Sequence, residues 1–444
     1  MKSINPHIIS ARWILPIDEE SPLSSQLRLL EDHAIAIEDR RIIDIGPKTE
    51  LLVTYPKAAH TELHEHILMP GLVNAHNLTA MTLFKGLTDP QPLAQWLKHS
   101  IWPLEHQWLS AAFARDSVAL GIIEMLLSGT TCFSDSYLYP DASASVAETL
   151  GMRAQIHFPI SEHASHWAQN SGEYFSKGLE ISDEYRHSAL ITTGFGPHSA
   201  VNVSDKSFDR IAILAEEIDR PIHIYLHSSD EEITDSVKQY GLQPIERLMQ
   251  LGVLSSRTQA IQVGHLNTQD ELQLINSGAS VIQCPAASMN LSVNLCSSSS
   301  LLQKGVKVGL GTDSAACGNN LDLFASLKLA VILSAQGDQS QPTLNCSAGL
   351  RMATLGGAEA LGLDDDIGSL TVGKQADIIA IDTQSPCFQP LNSVTRQLVY
   401  GGAGSAVSHV WVAGHCKVSD GKLIGIDQSS ILDKSRWWQH KITS

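Results

Sequence analysis

Most of the chain alternates between two patterns of hydrophobic and polar positions. Between about residue 67 and residue 365, short apolar or β-branched runs such as TTCFSDSYL, PIHIYLHSS and VKVGLGTDS are separated by longer amphipathic segments such as SFDRIAILAEEID. The short runs are typical of buried strands, and the longer segments have the spacing of helices that bury one face. Alternating units of this length predict an α/β fold, a (β/α)8 TIM-like barrel with PGLVNAH as its first strand.

Both ends of the chain follow another pattern. Residues 1–66 and 366–444 contain short β-type runs such as HAIAIEDRRIIDIG and SHVWVAGHCKV, separated by polar or glycine turns. This spacing is typical of small antiparallel sheets. The sequence therefore predicts one composite β domain built from both ends, beside a barrel of residues 67–365.

Composition narrows the class of partner. The 444 residues are 43% hydrophobic and 17% charged, and the formal net charge is −17. Nucleic acid and anionic membrane surfaces both require a basic footprint, which this acidic chain does not provide. A small molecule is the expected partner.

Cysteine usage and the apolar runs indicate the compartment. The seven cysteines are scattered and form no Cys-x-x-Cys pair, a pattern that suits reduced thiols better than disulfides or a cysteine-rich zinc site. No run approaches the 18 or so apolar residues of a membrane span, and the N-terminus has no signal-peptide pattern. We therefore expect a cytoplasmic protein without a membrane partner.

Polar residues at strand ends are the first candidates for chemistry, because a parallel barrel carries its active site there. His76 ends strand 1, His198 follows strand 4, and Asp313 follows strand 8. Strand 5 offers His223, Tyr225 and His227. The first and last strands become neighbours when a barrel closes. His76 and Asp313 are therefore expected to lie close together.

The chain contains the motifs PGLVNAH, TTCFSDSYLYP, GFGPHS, LGTD and GSLTVGKQADI. Together they resemble motifs of the amidohydrolase superfamily, and within it those of the 5-methylthioadenosine/S-adenosylhomocysteine deaminases and their chlorohydrolase relatives. The similarity extends from about residue 10 to about residue 425. The resemblance implies a barrel with a small β domain, association as dimers or tetramers, and one zinc ion. In that family three histidines and a carboxylate hold the zinc, which activates water, while a glutamate and a further histidine move protons.

The resemblance breaks down at the positions that carry this chemistry. His76 and Asp313 match family metal ligands. Four other ligand or proton-transfer positions carry residues that cannot replace the family's side chains: Leu78, Tyr225, Ser228 and Gln262. The sequence therefore predicts a degraded metal site with no tightly bound zinc, although looser binding through His76, Asp313 and His227 stays open.

The positions that face the substrate in the family are better preserved. Glu105 matches a carboxylate that binds ribose hydroxyls, and His198 matches a histidine that faces the substrate. Trp102 could form an apolar wall near a base. The available acid–base groups would be His198, Asp313, His227 and Tyr225.

Three functions stay open at this point. The first is a diverged enzyme that acts on or binds a nucleoside-like or heterocyclic small molecule without tight zinc. The second is a non-catalytic paralogue that binds and regulates an active subunit. The third is a zinc-dependent hydrolytic deaminase, a C–N hydrolase of an adenosine-type substrate.

Overall fold

The computed structural model of the protein describes residues 6–18, 26–336 and 343–444. Parts of both predicted domains, namely residues 1–5, 19–25 and 337–342, lie outside the described residues. Within the described ranges, no helix is both long and apolar enough to cross a membrane.

The strands fall into two groups of eight within the described residues. In chain order they are β1 (His7–Ile14), β2 (Leu30–Glu38), β3 (Arg41–Pro47), β4 (Ala59–Pro70), β5 (Leu72–Asn77), β6 (Thr130–Asp135), β7 (Arg153–Ile160), β8 (Ile191–Pro197), β9 (Ile222–Leu226), β10 (Thr258–Gln262), β11 (Ser280–Gln283), β12 (Val308–Leu310), β13 (Ile378–Asp382), β14 (Val407–Val412), β15 (His415–Ser419) and β16 (Lys422–Leu423).

Many of the helices lie between the strands β5 to β12. They are α1 (Lys48–Thr54), α2 (Leu93–Trp96), α3 (Trp102–Trp108), α4 (Ala111–Leu127), α5 (Pro140–Leu150), α6 (Ser171–Glu184), α7 (Asp205–Glu217), α8 (Asp230–Tyr240), α9 (Pro244–Gln250), α10 (Thr268–Ser277), α11 (Pro285–Asn290), α12 (Ser298–Gln303), α13 (Ala315–Gly318), α14 (Leu323–Ser334), α15 (Cys346–Met352), α16 (Leu355–Leu361), α17 (Val394–Tyr400) and α18 (Gln428–Thr443). A π-helical turn, Leu97–Ile101, joins α2 to α3. Asn170, Ser204 and Ser229 cap α6, α7 and α8 by accepting backbone N–H groups, as such residues do at helix starts.

The predicted barrel is confirmed. Strands β5 to β12 are parallel and pair in sequential order. An isolated parallel bridge between Asn77 and Asp313 joins the ends of the first and last strands. The carboxyl ends of all eight strands therefore meet at one end, which we call the barrel mouth.

The predicted sheet built from both ends of the chain is also present. Its strand order is β16-β15-β14-β13-β4-β1-β2-β3, so β13 from the C-terminal part pairs with β4 from the N-terminal part. The β13–β4 register places Ile379 opposite Met69 and Asp382 opposite His66. This pairing buries an apolar cluster that includes Ile35, Leu68 and Trp411.

A buried ion pair joins the sheet to the barrel. Arg153 on β7 donates from Nε and Nη2 to the two oxygens of Asp377 at 3.0 and 3.1 Å. It also donates to the Gln375 side chain and to the Ala189 carbonyl. The Arg153 and Asp377 side chains are only 8% and 2% exposed, so each charge depends on the other for compensation.

The last helix departs from the β pattern expected for residues 366–444. Helix α18 packs on α4 of the barrel rather than extending the sheet. Trp438 is buried, contacts the ring of Phe113, and donates its indole N–H to Asp116 at 3.0 Å. The adjacent Trp437 stays about half exposed. Burial of one tryptophan fixes the helix on the barrel.

Candidate functional site

Three side chains meet at the barrel mouth: His76, Tyr225 and Asp313. The Tyr225 hydroxyl lies 2.7 Å from His76 Nε2 and 3.4 Å from each oxygen of Asp313. His76 Nε2 and Asp313 Oδ1 are 4.0 Å apart. The phenol oxygen therefore stands beside both groups that the sequence identified as remnant metal ligands. We call these three residues the mouth triad.

Backbone contacts between β5 and the turn after β12 hold His76 and Asp313 side by side. The N–H groups of Thr312 and Asp313 both donate to the His76 carbonyl at 3.1 Å. Gly311 permits this approach, because a Cβ there would lie 2.7 Å from that carbonyl oxygen. Asp313 has a left-handed backbone with φ of 57°, and its carboxylate accepts the Ser314 N–H at 2.6 Å. The turn thus aims the carboxylate at the mouth.

Burial sets the charge state of the triad. It lowers the pKa of His76 to about 3, with a smaller effect from nearby His157. Burial raises the pKa of Asp313 to about 6, against hydrogen bonds from Ser314 and Tyr225 that lower it. The pKa of Tyr225 is raised by burial and by the Asp313 charge. At pH 7 the imidazole and the phenol are therefore neutral.

A chain of hydrogen bonds continues from His76 into the barrel. His76 Nδ1 is 2.8 Å from His223 Nε2, and His223 Nδ1 is 2.8 Å from Gln259 Oε1. Gln259 Nε2 donates to Gln155 Oε1 at 2.9 Å, and Gln155 Nε2 donates to the Leu361 carbonyl at 3.0 Å. His223 was among the polar strand residues considered from the sequence, whereas Gln259 and Gln155 were not. The only signal of the two glutamines in the sequence was a polar residue within a short run predicted to form a strand.

His198 stands next to the triad. Its imidazole centroid lies 6.0 Å from the Tyr225 ring, and Ser199 forms a parallel bridge with Tyr225. The side chain is accessible to water, yet surrounding protein lowers its pKa by desolvation. A neutral, accessible imidazole at this position can donate or accept a hydrogen bond from a ligand.

Glu105 and Trp102 both lie on α3, within one helical turn. Tyr137, in the loop after β6, donates its hydroxyl to the Glu105 carboxylate. Burial raises the pKa of Glu105 to about 6, while this hydrogen bond lowers it. The Trp102 side chain is 55% exposed. The described contacts of Glu105 thus fix it against the β6–α5 loop, and its proposed role toward a ribose stays a prediction.

Glu105 is expected to affect the pH dependence of stability. Its pKa in the folded protein, about 6, exceeds the ordinary value of 4.5, so the folded state retains the proton more strongly. This contribution is fully present below pH 4.5 and is lost as the pH rises through about 6. Glu105→Gln should therefore lose less stability than the wild type over this interval. Urea unfolding at several pH values measures the difference, and Glu217→Gln on an exposed helix face should behave as wild type.

His227 does not join the triad. Its Nδ1 is 2.8 Å from the His265 carbonyl oxygen, and its Nε2 accepts the Ile245 N–H at 3.3 Å. Asp270 lies 3.8 Å away. The φ of 49° at His227 interrupts the alternation of β9, which explains why His227 does not share the inward face of His223 and Tyr225. Both ring nitrogens are engaged by backbone groups, so this geometry does not support acid–base chemistry or metal binding by His227.

The replaced positions have contacts of other kinds. Leu78 packs against an apolar cluster, and the Ser228 N–H and hydroxyl both donate to Glu232 at 2.8 Å. The Gln262 side-chain oxygen is buried without a hydrogen-bond partner in the structure. Across the described residues, no group of three or more His, Cys, Asp or Glu side chains is arranged to hold a metal ion. This donor set differs from the three-histidine set that the family resemblance implies for zinc.

Comparisons with known proteins agree with the fold and the motifs. The model of the amidohydrolase family matches residues 67–417. A 5-methylthioadenosine/S-adenosylhomocysteine deaminase of Teredinibacter turnerae is 41% identical, with coverage of 98% of this chain and 97% of the relative. A protein with the same description from Thermodesulfovibrio yellowstonii is 32% identical, and 98% of each chain is covered.

Solved structures show the same architecture. A zinc-bound adenosine deaminase from Xanthomonas campestris superposes with a TM-score of 0.92 at 36% identity, over 98% of each chain. A zinc complex of an atrazine chlorohydrolase from Arthrobacter aurescens TC1 has a TM-score of 0.90 at 21% identity, with 97% of this chain and 99% of that chain covered. At that identity the second likeness concerns the fold alone. The family match, the curated relatives and the barrel together show that the chain belongs to the amidohydrolase family.

Proposed function

We propose that the protein binds a nucleoside-like or related heterocyclic small molecule at the barrel mouth, without a tightly held zinc ion. The observation that carries the proposal is the Tyr225 hydroxyl, 2.7 Å from His76 Nε2. In a zinc site, a ligating histidine turns an unprotonated nitrogen toward the metal. Here that nitrogen faces a phenol, and Leu78 supplies no lone pair in place of a second histidine.

The groups of the mouth can still bind and orient a ligand. His198 offers a neutral imidazole, Asp313 a carboxylate and Tyr225 a phenol oxygen. Glu105 supplies a carboxyl group of the kind that accepts hydrogen bonds from paired hydroxyls. If a reaction takes place, His198, Asp313 and Tyr225 are the groups placed to exchange protons with the ligand. The family's chemistry would make that reaction a hydrolysis at a C–N bond.

Metal content and ligand binding test this proposal together. Protein purified without chelator is expected to contain well below one zinc per chain, as measured by elemental analysis. Methylthioadenosine or S-adenosylhomocysteine is expected to raise the melting temperature, because a ligand that binds only the folded state stabilises it. A folded protein with neither zinc nor a ligand-induced shift would contradict the proposal.

A zinc-dependent deaminase is the second candidate. It is favoured by the names of the two relatives described above, which are deaminases that are 41% and 32% identical to this chain over 98% of its length. This candidate predicts about one zinc per chain and release of ammonia from an adenosine-type substrate. Loss of both on treatment with a chelator would support it and would exclude the zinc-independent proposal.

A further inference from the structure

The segment that follows His198 is held by a buried arginine on another helix. Arg247 lies on α9 and is 2% exposed, and its guanidinium donates to the carbonyl of Ala200 and, at 3.0 Å, to that of Val203. Its Nε also donates to Asp205, the first residue of α7, at 2.9 Å. Three acceptors between β8 and α7 are therefore bound to one rigid, planar group.

Tyr240, the last residue of α8, completes this arrangement. The guanidinium carbon of Arg247 lies 3.4 Å from the centroid of the Tyr240 ring, a contact that arginine makes well because its planar cation stacks on aromatic faces. The Tyr240 hydroxyl donates to the Val201 carbonyl at 3.2 Å. We call Arg247 and Tyr240 the loop clamp.

Helix α9 is itself anchored at the barrel mouth. The N–H of Ile245 donates to His227 Nε2 at 3.3 Å, and His227 directly follows β9. Ser199 forms a parallel bridge with Tyr225 on the same strand. Strand β9 therefore supports the His198 segment twice, directly through Ser199 and indirectly through α9.

Stability alone does not account for a charged group at this place. The desolvation of a buried guanidinium offsets much of what its ion pair contributes, and an apolar side chain of similar volume avoids that cost. An apolar side chain cannot, however, hold the carbonyls of Ala200 and Val203 at set positions. The contacts of Arg247 therefore favour a role in geometry, and the Ala200 carbonyl that it binds comes two positions after His198.

We propose that Arg247 and Tyr240 are positioning residues that hold His198 against the ligand at the barrel mouth. This inference rests on the proposed function and extends the site to α8 and α9. His198 is exposed, and its ring centroid is 6.0 Å from that of Tyr225, so a ligand beside Tyr225 meets an imidazole whose position the clamp sets. A segment that is ordered before binding loses less freedom when the ligand arrives, which strengthens binding.

Histidine NMR tests the positioning without any ligand. In full-length protein labelled with ¹³C at histidine Cε1, the His198 signal is assigned from its loss in His198→Ala. Arg247→Met should shift or broaden this signal, because the Ala200 carbonyl loses its donor. Arg257→Met is the matched control, since Arg257 donates to Glu216 near the other end of α7 at 3.0 Å and should leave the signal unchanged. An unchanged His198 signal in folded Arg247→Met would overturn the proposal.

Tyr240→Phe is the milder variant for the case in which Arg247→Met does not fold. It removes only the hydroxyl that binds the Val201 carbonyl and keeps the ring against the guanidinium. We expect a smaller shift of the His198 signal in this variant. A folded Tyr240→Phe with no change in that signal would overturn the positioning role of Tyr240, and with it the proposed clamp.

Calorimetry with methylthioadenosine tests the consequence for binding. Arg247→Met should bind it about tenfold more weakly than the wild type, the order of effect that ordering one side chain has on affinity. Arg257→Met should bind it as the wild type does. Because the clamp acts through His198, Arg247→Met in a His198→Ala background should cause almost no further loss. Such non-additivity is expected of two residues that act on one contact.

The possible results separate this inference from the proposed function. A further loss of about tenfold in the double variant, or unchanged affinity in folded Arg247→Met, would overturn positioning through His198 and leave ligand binding intact. Absence of methylthioadenosine binding by the wild type would contradict the proposed function, whereas the His198 signal would still decide whether the clamp holds that side chain.

Discussion

Replacement of Leu78 and Tyr225 by histidine is expected to convert the mouth into a zinc site. Leu78→His with Tyr225→His adds two imidazoles to His76 and Asp313, which gives the three-histidine, one-carboxylate set of the family. The double variant should retain about one zinc per chain after dialysis, against well below one in the wild type. Adding Ser228→Glu and Gln262→His supplies groups for proton transfer, and zinc retention should persist.

The phenol is the reason that both ligand substitutions are needed. Leu78→His alone leaves the Tyr225 hydroxyl on His76 Nε2, so this variant serves as the matched control and should remain low in zinc. A folded double variant that binds no zinc would show that the backbone of the mouth has also diverged from the family geometry. Circular dichroism of each variant establishes that it is folded.

Arg153→Met is expected to cause the largest loss of stability among single substitutions at the joint between sheet and barrel. The change leaves the Asp377 carboxylate buried without its ion partner, although Asp377 still accepts the Ala413 N–H at 2.7 Å. Removing one partner of a buried ion pair typically costs about 3–5 kcal/mol. The expected result is a melting temperature several degrees lower, measured by calorimetry.

An exposed ion pair provides the control for this substitution. Arg436 bonds to Asp433 on α18, and the two side chains are 65% and 70% exposed. Exposed pairs contribute about 0–1 kcal/mol, so Arg436→Met should melt close to the wild type. Equal melting temperatures for Arg153→Met and Arg436→Met would mean that the buried pair contributes little to joining the two parts.

The fold could be predicted because its signals are local. Alternating short apolar runs and amphipathic segments specify parallel strands and helices. Short β-type runs separated by turns at both ends of the chain indicate the second sheet. The C-terminal helix was harder to predict, since its amphipathic face becomes informative only once α4 lies beside it. Trp438 is buried there by contacts with Phe113 and Asp116, more than 300 positions earlier in the sequence.

The site was only partly predictable for a related reason. Residue types at 78, 225, 228 and 262 could be read as departures from the family pattern without coordinates. The sequence did not show the φ of 49° at His227, which turns its side chain toward the backbone of α9 and the His265 loop. The hydrogen bond from Tyr137 to Glu105 likewise depends on the packing of α3 against the β6–α5 loop.

The order of residues along the chain is enough to predict the family, the barrel and the sheet built from both ends, and to identify positions 78, 225, 228 and 262 as departures from the family pattern. These follow from residue types and their spacing along one segment at a time. Only folding brings the Tyr225 hydroxyl to His76 and Asp313 and assembles the chain of hydrogen bonds beneath them. His76 and His223 are 147 positions apart, so only closure of the barrel places their nitrogens 2.8 Å from each other.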